Sequence, residues 1–371
     1  MRWVLGVLLA TASPIACETC TCGYVLADDA HKSSPVLFTD RLETNFASLS
    51  DFNRNSAWTR QQFNVSAESG RGKYGKSFEV ENVFSYAGPN VFEHQDAKRD
   101  VKKSPRAMGL RVGSIPTAMG AIGAAEIDSA RTDMFWGSYR VLMRLTRASG
   151  TCAAFFWYRN DSQEIDMEFL SREFNIAAKV FPINLVIHSP ESMRDGYDAS
   201  KSGTLRRVEL SFDPTSAFHE YRFDYLPGRV LFFADGQFLA EMSGKKMPNS
   251  GGHVILQHWS NGNTLWSGGP PASDAVIWVR SVKAYFNSSD AQRDKKWNDK
   301  CSSGEMRAKT CQVANETSEG SRSSDGSAGD DDDANDDGPT TQEDSPGSHE
   351  MKPTMARLAL WIVACILLSS L

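Results

Sequence analysis

One octapeptide carries the residue types and spacing best suited to chemistry: Gln163-Glu164-Ile165-Asp166-Met167-Glu168-Phe169-Leu170. In an extended chain, residues i, i+2 and i+4 share a face. Glu164, Asp166 and Glu168 then project together, and Ile165, Met167 and Phe169 face the other way. Three carboxylates crowded on one face repel each other, and nothing in folding requires them there. Such crowding raises at least one pKa, which suits a general acid. Cleavage of a glycosidic bond with retention needs a carboxylate nucleophile and a protonated acid, about 5–5.5 Å apart. Four residues of strand span about 13 Å between Cα atoms. Glu164 and Glu168 must therefore lean toward each other, with Asp166 between them to hydrogen-bond Glu164.

Strands must position this row. Short runs of β-branched and aromatic residues alternate with Gly, Pro, Asn and Asp punctuation through the middle of the chain. Examples are 153–158, 164–170, 184–188, 207–212, 219–225, 229–234, 237–242, 253–259 and 275–286. Asp235-Gly236 between two apolar runs is a type I′ hairpin signal. No long amphipathic helix interrupts the pattern. The expected fold is all-β, a two-sheet sandwich or jelly roll. The run Ala153–Tyr158 pairs with the acidic strand across a turn at Arg159–Ser162. Its alternation puts Phe156 and Tyr158 on one face and Trp157 on the other.

Beyond these features the sequence resembles glycoside hydrolase family 16. Glu164-Ile165-Asp166-Met167-Glu168-Phe169 is similar to that family's E-[IL]-D-x-E-F signature. The stretch from Phe218-His219 through Tyr221 and Tyr225 to Asp235-Gly236 resembles its F-H-x-Y strand pair, with Tyr225 and Ala234 in place of the usual Trp and Val. Cys20-Thr21-Cys22-Gly23-Tyr24 and His258-Trp259…Trp266…Pro271 resemble a group of secreted fungal members. The resemblance spans roughly residues 20–301. It implies a concanavalin A-like β-jelly roll with a glucan cleft and retaining cleavage or transfer on β-glucans. Glu164 would be the nucleophile, Asp166 its helper and Glu168 the acid/base. It also implies a cleft lined by Phe156, Tyr158, Gln257 and Trp259. Trp266 lies on a Gly/Ser loop where exposure is expected. Trp136 precedes a stretch like the family's Y-G-x-[FY]-E strand, with Arg140 in place of the acid. His219 reads as a structural histidine on a strand, while His258 could serve as a base.

The 371 residues carry a formal charge of −6, unevenly spread. Residues 312–350 hold 12 acidic residues against Arg322 alone, so residues 17–311 are nearly neutral. That balance argues against a nucleic-acid partner. The acidic Ser/Gly/Asp-rich stretch 312–348 reads as a disordered linker. Residues 1–16 have the basic start, short apolar run and small residues of a signal peptide. Residues 349–371 (a polar spacer, then the apolar run Leu358–Leu371, after the small pair Gly347-Ser348) have the layout of a GPI-attachment propeptide. The expected organisation is therefore a leader, a catalytic domain over 17–311, a spacer and a removed tail. The expected location is extracellular, held at the plasma membrane or cell wall. Of seven cysteines, Cys17, Cys20 and Cys22 open the domain and Cys301 and Cys311 close it, which suggests disulfides that tie its ends. Sequons at Asn64, Asn160, Asn287 and Asn315 fit a glycoprotein. No cofactor is expected, a structural calcium ion is left open, and a monomer is anticipated. G-x-S-x-G and H-E-x-x-H are absent, which leaves serine hydrolases and zinc proteases without support. Three functions remain: a β-1,3 or β-1,3-1,4 endoglucanase, a wall glucan or chitin transglycosylase, and a non-catalytic carbohydrate-binding protein.

Overall fold

The computed structural model describes residues 20–27, 30–31, 35–49, 52, 55–86, 107–301 and 309–313. The expected leader, the tail and all but two residues of the spacer lie outside them. The chain divides into a unit of residues 1–320 and a second of residues 321–371, the latter wholly outside the described residues.

Among the described residues twenty strands run in chain order. They are β1 (Tyr24–Leu26), β2 (Val36–Phe38), β3 (Asp40–Asn45), β4 (Trp58–Arg60), β5 (Phe63–Val65), β6 (Gly75–Phe78), β7 (Val83–Tyr86), β8 (Ala107–Val112), β9 (Ala121–Ser129) and β10 (Met134–Arg144). There follow β11 (Cys152–Asn160), β12 (Gln163–Leu170), β13 (Pro182–His188), β14 (Leu205–Glu209), β15 (His219–Leu226), β16 (Arg229–Ala234), β17 (Gln237–Ser243), β18 (His253–Trp259), β19 (Ala275–Ser288) and β20 (Cys311–Gln312). Two short helices, α1 (Pro190–Arg194) and α2 (Ala291–Cys301), complete the set. No described helix is long and apolar enough to cross a membrane.

The strands form two large sheets and one small one. The front sheet runs β14-β13-β12-β11-β18-β9-β6-β5, with β4 also on β9. The back sheet runs β17-β16-β15-β10-β19-β8-β7, with β3 also on β19. Between them lies the core, built by alternation. Phe155, Trp157, Ile165, Met167 and Phe169 point in from the front, and Tyr139, Val141, Tyr221, Phe223 and Phe286 from the back. Each such side chain contributes about 1.5–3 kcal/mol on burial. Local turn chemistry sets the register. Pro227-Gly228 joins β15 to β16 with Gly228 at φ +71°, and Asp235-Gly236 joins β16 to β17 with both residues at positive φ. The first has the Pro-Gly order of a type II turn and the second the signs of type I′.

The outer face of the back sheet is also buried. β1, β2 and β20 form a small sheet whose Tyr24, Leu26 and Phe38 pack on Leu226, Leu231, Phe233 and Tyr285. Disulfides Cys20–Cys311 and Cys22–Cys301 fasten this layer. Beneath it Arg222 holds Asp224 by two hydrogen bonds of 2.9 and 2.5 Å, and its guanidinium lies 4.0 Å from the Phe233 ring centroid. Arg140 belongs to the same buried layer, 4.0 Å from Glu220. It therefore has a structural partner on the back sheet.

Candidate active site

β12 is an interior strand of the front sheet, and its pairing fixes every side chain on it. Ile165 and Met167 are fully buried toward the core. Glu164, Asp166 and Glu168 emerge on the outward face. Tyr158 and His188 flank Glu164, Phe156 and Val186 flank Asp166, and Ala154 and Asn184 flank Glu168. The ladder from Cys152/Leu170 to Tyr158/Glu164 is unbroken, and its irregularity comes only after Tyr158. Between β11 and β12, Asn160 Oδ1 accepts hydrogen bonds from the Ser162 amide and hydroxyl at 3.0 Å each. The row is thus held by backbone on both sides rather than by a loop.

The three carboxylates differ electrostatically. Burial, then the charges of Glu164 and Glu168, holds Asp166 well above the usual carboxylate range. The side chains of Asp166 and Glu164 interact by a hydrogen bond that favours the proton on Asp166 and the charge on Glu164. Burial pushes Glu164 up to about 7, and that hydrogen bond and Lys76 pull it back down. Glu168 is raised by burial, with hydrogen bonds from Trp266 and Cys152 and the charges of Lys76 and Arg71 opposing the rise. The Cys152 Sγ lies 3.4 Å from Glu168 Oε1. One outer carboxylate therefore shares a hydrogen bond with a carboxyl group whose pKa is raised, and the other sits among donors and cations. Unequal environments for two like groups are what a nucleophile and a proton donor require.

The other residues anticipated from sequence fall into three groups. Phe156, Tyr158 and Trp266 share the face with the acids. Phe156 packs with Ala154 and Ile255, Tyr158 donates to Asp161 at 2.8 Å, and Trp266 reaches Glu168. Gln257 and Trp259 lie on the same face in β18 but are already engaged. Gln257 donates to Glu126, and Trp259 is 9% exposed, with the Lys76 ammonium 4.4 Å from its ring centroid. That ring face is not open for a sugar while Lys76 covers it. Trp136 does not join the site. It lies on β10 of the back sheet, stacked on Phe135 at 4.3 Å and packed against the inter-sheet core. The β10 irregularity between Met134 and Gly137 interrupts the register that its motif suggested. His258 is fully buried between the Leu110 carbonyl and the Thr151 hydroxyl, and burial lowers it to about 4. His219 holds Asp235 at 2.7 Å and stacks on Phe212. Both histidines are structural.

Several neighbours escaped the sequence. Lys76, Cys152 and His188 come from strands or loops with no motif. Glu126-Ile127-Asp128 did carry a signal, the same acid-apolar-acid alternation as Glu164-Ile165-Asp166. Ile127 is buried inward and both acids face out on β9. Burial, with Asp128 adding to it, pushes Glu126 up to about 8. A folded-state pKa above the ordinary 4.5 means the native state binds that proton more tightly than the unfolded chain. The resulting stability is complete below about pH 4.5 and is lost as pH rises through about 8. Glu126→Gln should therefore lose less Tm than the parent between pH 5 and pH 8, by about 2–4 °C per kcal/mol removed. Thermal unfolding at both pH values checks it, and equal losses would refute the assignment. Among the described residues no group of three or more His, Cys, Asp or Glu is arranged to hold a metal ion.

The described residues thus form a two-sheet β-sandwich with a carboxylate row on the outward face of one sheet. Residues 94–275 match the model of Glycosyl hydrolases family 16. A probable xyloglucan endotransglucosylase/hydrolase of Arabidopsis thaliana is 28% identical over 197 residues, 52% of this chain and 51% of that protein. A beta-glucanase of Paenibacillus macerans is 25% identical over 183 residues, 46% of this chain and 69% of that protein. The chain thus spans about half the length of the plant relative it matches. Among solved structures, the endo-beta-1,3-glucanase of Pyrococcus furiosus superposes with a TM-score of 0.50 at 16% identity, covering 68% of this chain and 95% of that one. That likeness concerns the fold.

Proposed function

We propose that the protein is a retaining glycosidase of cell-wall β-glucan, endo-acting on β-1,3 or mixed β-1,3-1,4 linkages. The observation that carries this reading is the alternation of β12: three carboxylates outward in unequal environments, three apolar partners inward. Glu164 is the nucleophile. Its attack on the anomeric carbon forms a glycosyl ester while Glu168 protonates the leaving oxygen. Asp166 stays protonated and orients Glu164 through its hydrogen bond. Glu168, now ionised, then takes a proton from the incoming acceptor as the ester breaks. Phe156, Tyr158 and Trp266 border the site. The relatives named a beta-glucanase and a probable endotransglucosylase/hydrolase support both a water and a sugar acceptor.

A second reading, glucan or chitin transglycosylation, keeps the same first step. Its support is the plant relative's name. One experiment separates the readings. The protein is incubated with laminarin, lichenan, chitin and xyloglucan oligosaccharides, and products are resolved by mass. Only shorter chains are expected for hydrolysis, and chains longer than the donor for transfer. Binding without any product would leave a non-catalytic sugar-binding role. We further propose an extracellular protein, led out by residues 1–16 and anchored through the C-terminal tail. Release by a GPI-specific phospholipase tests the anchor.

A further inference from the structure

Two loops meet over the carboxylate row. Residues 66–74 connect β5 to β6, and residues 189–204 connect β13 to β14. They leave the front sheet at diagonally opposite corners. Gly75 opens β6 opposite Ala121, beyond the end of the sheet where Cys152 pairs with Trp259 and Leu170. His188 closes β13 opposite Glu164, at the other end. Five strand spacings separate β6 from β13, roughly 24 Å across the sheet. The inner face is filled by the core, so any direct contact between these corners must pass over the outward face.

Such a contact exists. Arg71 Nη1 donates to the Gly196 carbonyl at 2.8 Å, and its guanidinium carbon lies 5.0 Å from the Tyr197 ring centroid. Both banks are anchored. Asn261 Nδ2 donates to the Gly70 carbonyl at 2.6 Å and Asn263 Nδ2 to the Arg71 carbonyl at 3.0 Å. Tyr197 donates to Asp161 at 3.2 Å, beside the β11–β12 turn, and its ring lies edge-on to His188 at 6.1 Å. Arg71 and Tyr197 adopt φ of +53° and +65°, a left-handed conformation rare for side-chain-bearing residues. Such conformations persist only where surroundings over-determine them, and they gather at clamps and switches. Arg71 and Gly196 are exposed and Glu164 and Glu168 half-buried, as expected of a roof and what it covers. The Arg71 charge acts on Glu168 and on His188, which lies beside Glu164.

We infer that Arg71, Gly196 and Tyr197 form a latch across the cleft and that Arg71 and Tyr197 are specificity-determining residues. This rests on the β-glucan reading above. With the latch closed, chain ends and short oligosaccharides pass beneath it. An internal segment of a polymer enters only when the latch opens, because it must be laid in from the side. The apparent affinity for polymer is then reduced by the open fraction, whereas that for a short substrate is not.

The test uses the full chain and Arg71→Ala. Amide hydrogen exchange comes first. Losing the latch should speed exchange across residues 195–204, on the opposite bank, by roughly tenfold, with β11–β13 unchanged. Unchanged exchange there would overturn the latch. Next, kcat/KM is compared for lichenan and for its tetrasaccharide. For a latch open about a tenth of the time, the polymer-to-tetrasaccharide ratio should rise roughly tenfold in Arg71→Ala. The ratio cancels any change in Glu168 protonation, which acts on both substrates alike. Faster exchange with an unchanged ratio would overturn the role in selection. If neither protein cleaves either substrate, the glucanase reading fails and the selection role with it, while exchange still decides whether the two loops are joined.

Discussion

Glu164→Gln should lower glucan turnover by roughly 10,000-fold, through loss of the covalent step. The amide is nearly isosteric with the carboxylate and cannot form the glycosyl ester. It accepts Asp166's hydrogen bond, so the strand should fold unchanged, and its thermal unfolding should match or exceed the parent's. The gain would come at neutral pH, where a half-buried carboxylate raised to about 7 is ionised in part. Reducing-sugar release from lichenan and laminarin gives the rate, and initial products show whether the anomer is retained. Residual turnover within tenfold of the parent would remove Glu164 from the nucleophile's role. It would also revive the sugar-binding alternative if oligosaccharides still bind.

Glu168→Gln should behave differently, and the contrast separates the two glutamates. Loss of a positioned acid costs about 100- to 10,000-fold when the leaving group is a sugar alkoxide. A glucoside with a nitrophenolate leaving group needs no protonation, so its first step should proceed near the parental rate. Glu164→Gln should fail on both substrates. The pH profile carries a second signature. Burial raises Glu168, so the alkaline limb of kcat/KM in the parent should lie above the ordinary carboxylate range. Activity falls there because the acid loses its proton, and Glu168→Gln should abolish that limb. His188, lowered to about 4 by burial and by Arg71, stays neutral across this window and adds no limb of its own. An alkaline limb that survives in Glu168→Gln would assign the acid to another group.

Most of the fold was legible because alternation is a local signal. Runs such as 164–170, 219–225 and 253–259 lie within strands β12, β15 and β18. Run 207–212 was offset from β14 (Leu205–Glu209), where Arg206 and Arg207 face solvent and alternation carries little contrast. The short strands of the N-terminal third, such as β4 to β6, went unseen because three or four residues establish no period. Burial on both faces of β15 was also hidden, since the second cover is β1, β2 and β20, brought from the two ends of the domain by disulfides. Trp136 shows the cost of reading a motif without its register. A break in the β10–β19 ladder leaves its ring packed on the core side of the back sheet.

The sequence by itself determined which residues of β12 share a face, because side chains on a strand alternate wherever that strand lies. That rule placed Glu164, Asp166 and Glu168 together and sent Ile165, Met167 and Phe169 inward. It could not determine what stands opposite them, since neighbours in a sheet come from any distance along the chain. Only the tertiary structure brought Lys76 onto Trp259, Cys152 to Glu168 and Arg71 to Tyr197. Those contacts set the unequal electrostatic surroundings of the three acids, because burial and neighbouring charge are properties of the assembled sheet.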